Sequence, residues 1–234
     1  MKYTIIKIAT IVLVFSQLTN CKNPDKIQKS IITSNNNYKY DSIKTAKKDT
    51  VNLYADLDKL IDTISNKNDK NAALEFKKYI QSKKYIVYCE LSNFQINGIP
   101  IYKFTRQNII DNFGKPLKEY EPNYECGFHS SEQQGKTYIL LKYKEIDFIG
   151  NEEEGYLAEE IDLNLIDNSD TSITLYGTKI SNKTTVEDLE KIFKKDLEFS
   201  ENDESIILQD FSDDNFSIEF KNGFASKITY FSPC

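Results

Sequence analysis

The sequence predicts an α+β fold. A helical hairpin comes first, followed by two repeated units of strand–turn–helix plus antiparallel β-meander. Three observations predict it. Apolar residues recur at helical spacing before Lys84 and at alternate positions after it. A turn dipeptide followed by a capped helix occurs twice, about eighty positions apart. Aromatic residues make up 12% of the chain, all Tyr and Phe with no Trp, which suits a β-rich core with tyrosines at its rims.

Leu53, Leu57, Leu60, Ile61 and Ile64 mark one face of a helix over 51–65. Asn66-Lys67-Asn68 breaks it, and Asn71 to Gln81 reads as a second helix with Leu74, the Lys77 stem and Ile80 along one side. From Lys84, Tyr85, Val87, Cys89 and Leu91 alternate with Ile86, Tyr88 and Glu90, the period of a strand. Phe94 to Ile101 holds Asn97-Gly98 as a turn. Thr105 is placed to cap a helix whose stripe is Ile109, Ile110 and Phe113, with Gly114 at its end and Pro116 preventing resumption. Strands are expected at 124–129, 137–149 and 159–165.

Residues 173–180 restate 93–101, with Gly177 against Gly98 and Ile180 against Ile101. Thr185, Leu189 and Phe193 then match Thr105, Ile109 and Phe113, and Thr184 with Glu187 has the spacing of a capping box. Strands follow at 205–211 and 216–230. In the last hairpin, a two-residue Asn222-Gly223 loop alone would put the apolar sets of the two strands on opposite faces. A three-residue loop over Lys221-Asn222-Gly223 would set Phe220 opposite Phe224 and Phe216 opposite Ile228. A register slip of one residue misplaces a whole apolar set, and each large side chain is worth about 1.5–3 kcal/mol when buried. The expectation is therefore the three-residue loop, with Gly223 in a G1 bulge.

The first residues set the location. Lys2 precedes an apolar run from Ile5 to Phe15 whose only charged residue is Lys7, and Leu18-Thr19-Asn20-Cys21 follows the run. A basic start and a short apolar core make a secretory signal; the run is shorter than the ~20 residues of a spanning helix. A simple secretory signal that contains a Cys is the alternative. The Leu-x-x-Cys ending resembles the lipobox of bacterial lipoproteins, which implies diacylation of Cys21 as the first mature residue. The organisation is then 1–20 signal peptide, 21–50 lipidated flexible tether, 51–83 helical hairpin, 84–168 first unit and 169–234 second unit. Lys22 after the lipidated residue implies an outer-membrane body facing the periplasm. The Asn- and Lys-rich tether also resembles that of lipoproteins of Bacteroidota-type bacteria.

The formal charge is −6, yet residues 22–50 hold seven Lys against three Asp, so the body is strongly acidic. Nucleic-acid binding needs basic surface that displaces counterions, and the body has the opposite sign. The lysines of the tether either lie near anionic headgroups or keep a linker solvated. An oxidising envelope permits one disulfide and one leftover thiol among Cys89, Cys126 and Cys234. Parity places Cys89 with Val87 and Leu91, and Cys126 with Tyr124 and Phe128, so a Cys89–Cys126 bond is expected, with Cys234 free.

No motif for a nucleophile, a phosphate cradle or a cofactor is present, so no cofactor is expected and no catalytic residue is assigned. His129 is the only histidine and reads as a strand-end residue at the rim rather than a metal ligand. Glu152, Glu153 and Glu154, with Glu159 and Glu160 beyond, form a solvated loop, a Ca²⁺ site without EF-hand spacing, or an interaction edge for a basic partner. The Thr-x-x-x-Ile-Ile-x-x-x-Gly-x-Pro run from Thr105 to Pro116 resembles the helix ending of the small outer-membrane lipoproteins of the β-barrel assembly machinery. A tandem of similar units resembles the secreted β-lactamase inhibitor proteins; the second copy departs from it, with Phe193-Lys194-Lys195 in place of Gly-x-Pro. The resemblance implies a body that binds another protein without catalysing a reaction. The alternative is an immunity or inhibitor lipoprotein against a secreted toxin or hydrolase, and after it a carboxylate-dependent hydrolase.

Overall fold

The computed structural model describes residues 53–166, 169–199, 204–210 and 214–232. The expected signal peptide, Cys21, the tether and Cys234 lie outside the described residues. The chain divides into two compact units, Met1–Lys83 and Lys84–Cys234.

Two helices are described in the first unit, α1 (Leu53–Asp62) and α2 (Lys67–Ser82). Leu57 and Ile61 are buried one turn apart on the first, Ile64 is buried just past its end, and Ala73, Phe76 and Ile80 are buried on the i, i+3, i+7 stripe of the second. The expected start of α2 is corrected by a cap. The Asn66 side chain accepts from the Asn68 N–H at 2.9 Å and begins the helix four residues before Asn71. Leu74 is accordingly turned outward and exposed. Ion pairs join Lys77 to Asp58 and Lys70 to Asp62.

The second unit is a mixed α+β body. Its strands are β1 (Ile86–Tyr88), β2 (Phe94–Ile96), β3 (Ile99–Pro100), β4 (Lys118–Tyr120), β5 (Ile139–Lys142), β6 (Ile146–Asn151) and β7 (Gly155–Asp162). The series continues with β8 (Ile173–Leu175), β9 (Thr178–Ile180), β10 (Ser205–Gln209), β11 (Asn215–Lys221) and β12 (Phe224–Phe231). Its helices are α3 (Arg106–Phe113), α4 (Ser131–Gln134), α5 (Leu163–Ile166) and α6 (Val186–Phe193). Eight strands form one sheet in the order β1-β10-β11-β12-β7-β6-β5-β4, antiparallel except where β1 joins β10. The other four form a small antiparallel sheet, β3-β2-β8-β9.

The small sheet and the two longer helices cover one face of the large sheet. Phe94, Ile96, Ile173, Leu175 and Ile180 are buried beneath the small sheet, and Phe94 meets Phe216 edge to face at 5.7 Å. Phe104 and Phe113 pack on Phe148 at 5.0 and 5.3 Å. Ile109 of α3 and Leu189 and Phe193 of α6 are buried. On the opposite face Tyr138, Leu140 and Ile149 form a smaller cluster with Tyr124 and Leu157.

Similar local hydrogen bonds occur at the two hairpins and at the starts of the two helices. Asn97-Gly98 and Tyr176-Gly177 both turn with positive φ at each residue. The Asn97 N–H donates to Ser172 O at 2.8 Å, and the Tyr176 N–H to Asn93 O at 2.9 Å. Thr105 caps α3 and Thr185 caps α6, each in a full capping box. The residue before each cap accepts from the second residue of a meander strand: Phe104 O from Tyr156 N, and Thr184 O from Ala225 N, both at 2.8 Å. The expected cap at Thr184 is therefore one residue early. Thr184 is engaged elsewhere, its Oγ1 accepting from the Ser181 N–H at 3.0 Å, and Asp188 rather than Glu187 closes the box.

Three further expectations are corrected. Residues 124–129 form no strand; they belong to the segment between β4 and α4, bent at Gly127 and bonded from the Phe128 N–H to Ser232 Oγ at 2.9 Å. The strand expected over 159–165 stops at Asp162, whose carboxylate accepts from the N–H groups of Asn164 and Leu165 and starts α5. The last hairpin turns on two residues, with Asn222 at φ 55° and Gly223 at φ 81°, and sets Phe220 opposite Ala225. That is the tighter type I′ loop. The apolar faces still agree, because Ser226 is an extra residue in β12: beyond it Ile218 faces Ile228 and Phe216 faces Tyr230. Its Oγ donates to Glu219 O at 3.2 Å. The burial constraint thus operates through a bulge inside the strand rather than through a longer turn, at the cost of leaving Phe224 half exposed.

Candidate functional site

The five glutamates of the expected acidic edge lie in two places. Glu152, Glu153 and Glu154 form the β6–β7 turn, where Asn151 Oδ1 accepts from the N–H groups of Glu153 and Glu154. Lys136 pairs with Glu153 at 3.3 Å and Glu154 at 2.8 Å, and Arg106 Nε lies 3.7 Å from Glu152. Glu154 also accepts from Tyr138 Oη at 2.8 Å. Burial opposes its ionisation, but Lys136 and Tyr138 together hold its carboxyl below the usual range.

Glu159 and Glu160 lie on β7 at a bulge opposite Asp147 and Phe148. Glu159 accepts from the Tyr124 hydroxyl, and burial raises its carboxyl, reinforced by Asp147 and Glu160. Glu160 pairs with Lys227 at 2.8 Å and Asp147 with Lys142 at 2.7 Å. A shallow polar depression is lined by Lys142, Glu145, Asp147, Glu160 and Asp162. The carboxylates there are interleaved with ammonium groups, which is the arrangement of a surface ion-pair network. Sequence reading found the acids but missed their partners, since Arg106, Lys136 and Lys227 are distant in the chain.

The two ends of the large sheet differ. At β1 the open edge is covered: Lys195 Nζ donates to Ile86 O at 2.6 Å, and the Glu198 N–H to Lys84 O at 3.3 Å. At β4 all three residues are exposed, and the flanking Leu117 is 72% exposed. Tyr120 is 44% exposed and Tyr102 38%, near the other end of α3 in sequence. Arg106, the first residue of α3, fixes this edge by bonding Glu119 of β4 as well as reaching Glu152. Its hydrogen bond to Glu119, and after it one to Tyr156, raises the guanidinium pKa above its ordinary value. A short charged edge resists chance pairing with other strands, while exposed Leu and Tyr beside it offer apolar area. The sequence signal for this patch was the polar Lys118-Glu119 pair between Leu117 and Tyr120.

The cysteines depart from expectation. Cys89 is a free thiol, fully buried, with burial pushing its pKa up against a hydrogen bond from Tyr176. It is therefore not bonded to Cys126. Cys126 is disulfide-bonded, to a cysteine outside the described residues. The parity argument failed because residues 124–129 are not a strand. His129 is buried rather than at a rim, with Phe128 and Tyr138 both at 4.9 Å and Tyr230 at 5.7 Å. Burial lowers its pKa to about 4, against the nearby Glu154 charge.

Among the described residues, no group of three or more His, Cys, Asp or Glu side chains is placed to hold a metal ion, and no helix is long and apolar enough to cross a membrane. No protein-family model, curated protein or solved structure matches this chain.

Proposed function

We propose that this chain is a lipid-anchored envelope protein, tethered through Cys21 to the outer membrane, whose body binds another protein. The Leu18-Thr19-Asn20-Cys21 ending after a basic, apolar start carries the reading of the anchor. The edge at β4, with Leu117 and Tyr120 exposed beside Arg106 and Glu119, supports the reading of the binding surface. α1 and α2 are taken as a helical hairpin. The two hairpin–helix–meander segments are taken as tandem repeats, supported by matching turns, caps and hydrogen bonds. The same tandem arrangement favours an immunity or inhibitor lipoprotein as the narrower form of this reading.

The test uses the full chain in envelope membranes. Wild-type protein is expected in the detergent phase and Cys21→Ser in the aqueous phase. A photo-crosslinking residue in place of Leu117 or Tyr120 is expected to capture one envelope protein that the same residue in place of Lys221, on the far hairpin, does not. Wild-type protein in the aqueous phase overturns the anchor. Equal capture from all three positions, or none, overturns the surface.

A further inference from the structure

We infer that Phe128 to Gln134, set between two glycine hinges, form a strap that protonation of His129 releases from the large sheet while the sheet itself stays folded. Gly127 at φ 90° and Gly135 at φ 63° bound the strap, in the left-handed region that glycine enters without strain. Between them α4 buries no side chain, and His129 and Ser130 are the only buried side chains of the strap.

Ser130 is spent on the strap's own turn. Its N–H donates to Gly127 O at 3.1 Å, and its Oγ accepts from the Gln133 N–H at 3.4 Å. Two hydrogen bonds reach outward, from the Phe128 N–H to Ser232 Oγ and from Ser131 Oγ to Glu121, both at 2.9 Å. The apolar attachment is therefore His129. Its ring lies edge to face on Tyr138 at 4.9 Å and on Tyr230 of β12 at 5.7 Å, and Phe128 leans on the same Tyr138 ring at 6.2 Å. Tyr138 in turn belongs to the small cluster with Leu140 and Ile149.

The charges around this ring come from three sides. Glu154, in the β6–β7 turn, accepts from Tyr138 and pairs with Lys136, with Glu153 beside it. Asp214 and Asp210 act on Tyr230, whose hydroxyl meets Asp214 and Ser232. On the strap itself Glu132 is exposed. Burial outweighs the attraction of Glu154 and lowers the His129 pKa from 6.5 to about 4. A released strap returns the imidazole to water and to its ordinary pKa. The proton then binds the open form more tightly, so opening rises by up to about tenfold per pH unit as pH falls from 6.5 to 4. Glu154 acts in the same direction, because Lys136 and Tyr138 hold its carboxyl below the usual range and acid weakens both contacts. The ladders of β6 with β7 and of β11 with β12 are backbone hydrogen bonds, which do not titrate. Opening is thus confined to the strap, and it bares the Tyr138 and Tyr230 rings.

Hydrogen exchange of the full chain, read by mass spectrometry from pH 7 to 4.5 and corrected for intrinsic rates, tests this. Peptides over 128–135 are expected to lose protection by about tenfold per pH unit below 6.5, while those over β11 and β12 keep theirs. In His129→Phe the strap is expected to keep the same protection across the range. His129 is the only histidine, so its carbon-bound ring protons give a single NMR titration in the wild-type chain, expected near pH 4 and needing no variant that folds. Titration near 6.5, strap protection that does not change with pH, the same pH dependence in a folded His129→Phe, or an equal loss over β11 and β12 overturns the proposal.

Discussion

Gly150 tests how closely β6 and β7 pack. A Cβ added there would stand 2.1 Å from Gly155 O and 2.6 Å from the Tyr156 Cα, both backbone atoms of the facing strand. No side-chain rotation relieves such a contact. Carbon and carbonyl oxygen come no closer than about 3.3 Å in sheets, so Gly150→Ala must open the ladder by roughly 1 Å. The pairs at risk are Gly150 with Tyr156 and Asn151 with Gly155. Losing two to three ladder hydrogen bonds at about 0.5–1.5 kcal/mol each gives roughly 1–4.5 kcal/mol. The opening also pulls at Phe104, bonded to Tyr156 in both directions at 2.8 and 2.9 Å. Gly98→Ala is the control: Gly98 has φ +79° with nothing within 4 Å of the added carbon, so it carries only the left-handed strain of about 1–2 kcal/mol. Urea unfolding at constant slope measures both. Gly150→Ala is expected to be the more damaging, and a Gly150→Ala variant within about 0.5 kcal/mol of wild type would refute the packing argument.

Two further outcomes follow from buried or capping groups. His129 is neutral when folded because burial lowers its pKa from 6.5 to about 4, whereas the unfolded chain protonates it normally. Its contribution is complete above pH 6.5 and is lost as pH falls toward 4, so stability should decline across that window relative to His129→Phe, which keeps an aromatic ring between Phe128, Tyr138 and Tyr230. Parallel Tm profiles for the two proteins from pH 7 to 4 would show that the imidazole is not buried as described. Thr105→Ala and Thr185→Ala remove equivalent caps, each accepting an N3 amide N–H, at 3.1 and 3.3 Å. Each should cost about 1 kcal/mol by denaturant unfolding; a loss at one position only would mean that the two helices are not equivalent.

The sequence by itself determined the local elements. Period-2 and period-3.6 patterns are written residue by residue, so the helices around Leu57, Phe76, Ile109 and Leu189 and the turns at Asn97-Gly98 and Tyr176-Gly177 were legible. The lipobox-like ending at Cys21 was legible for the same reason, and it is the whole basis of the anchor reading. Only the tertiary structure decided which elements meet. It joined the two meanders at β12 and β7, and it brought β1 into parallel pairing with β10 across more than a hundred residues. It also gave Glu152, Glu153, Glu154 and Glu160 basic partners remote in sequence, which alternation along a strand cannot reveal. The final hairpin separates the two kinds of information. Sequence required that Phe216 and Ile218 share a face with Ile228 and Tyr230, and they do; where the extra residue sits, at Ser226 rather than in the turn, was free to vary. A hydrophobic pattern constrains which side each residue takes. The placement of a bulge and the pairing of Cys126 depend instead on backbone that arrives from elsewhere in the chain, and one-dimensional spacing carries no record of it.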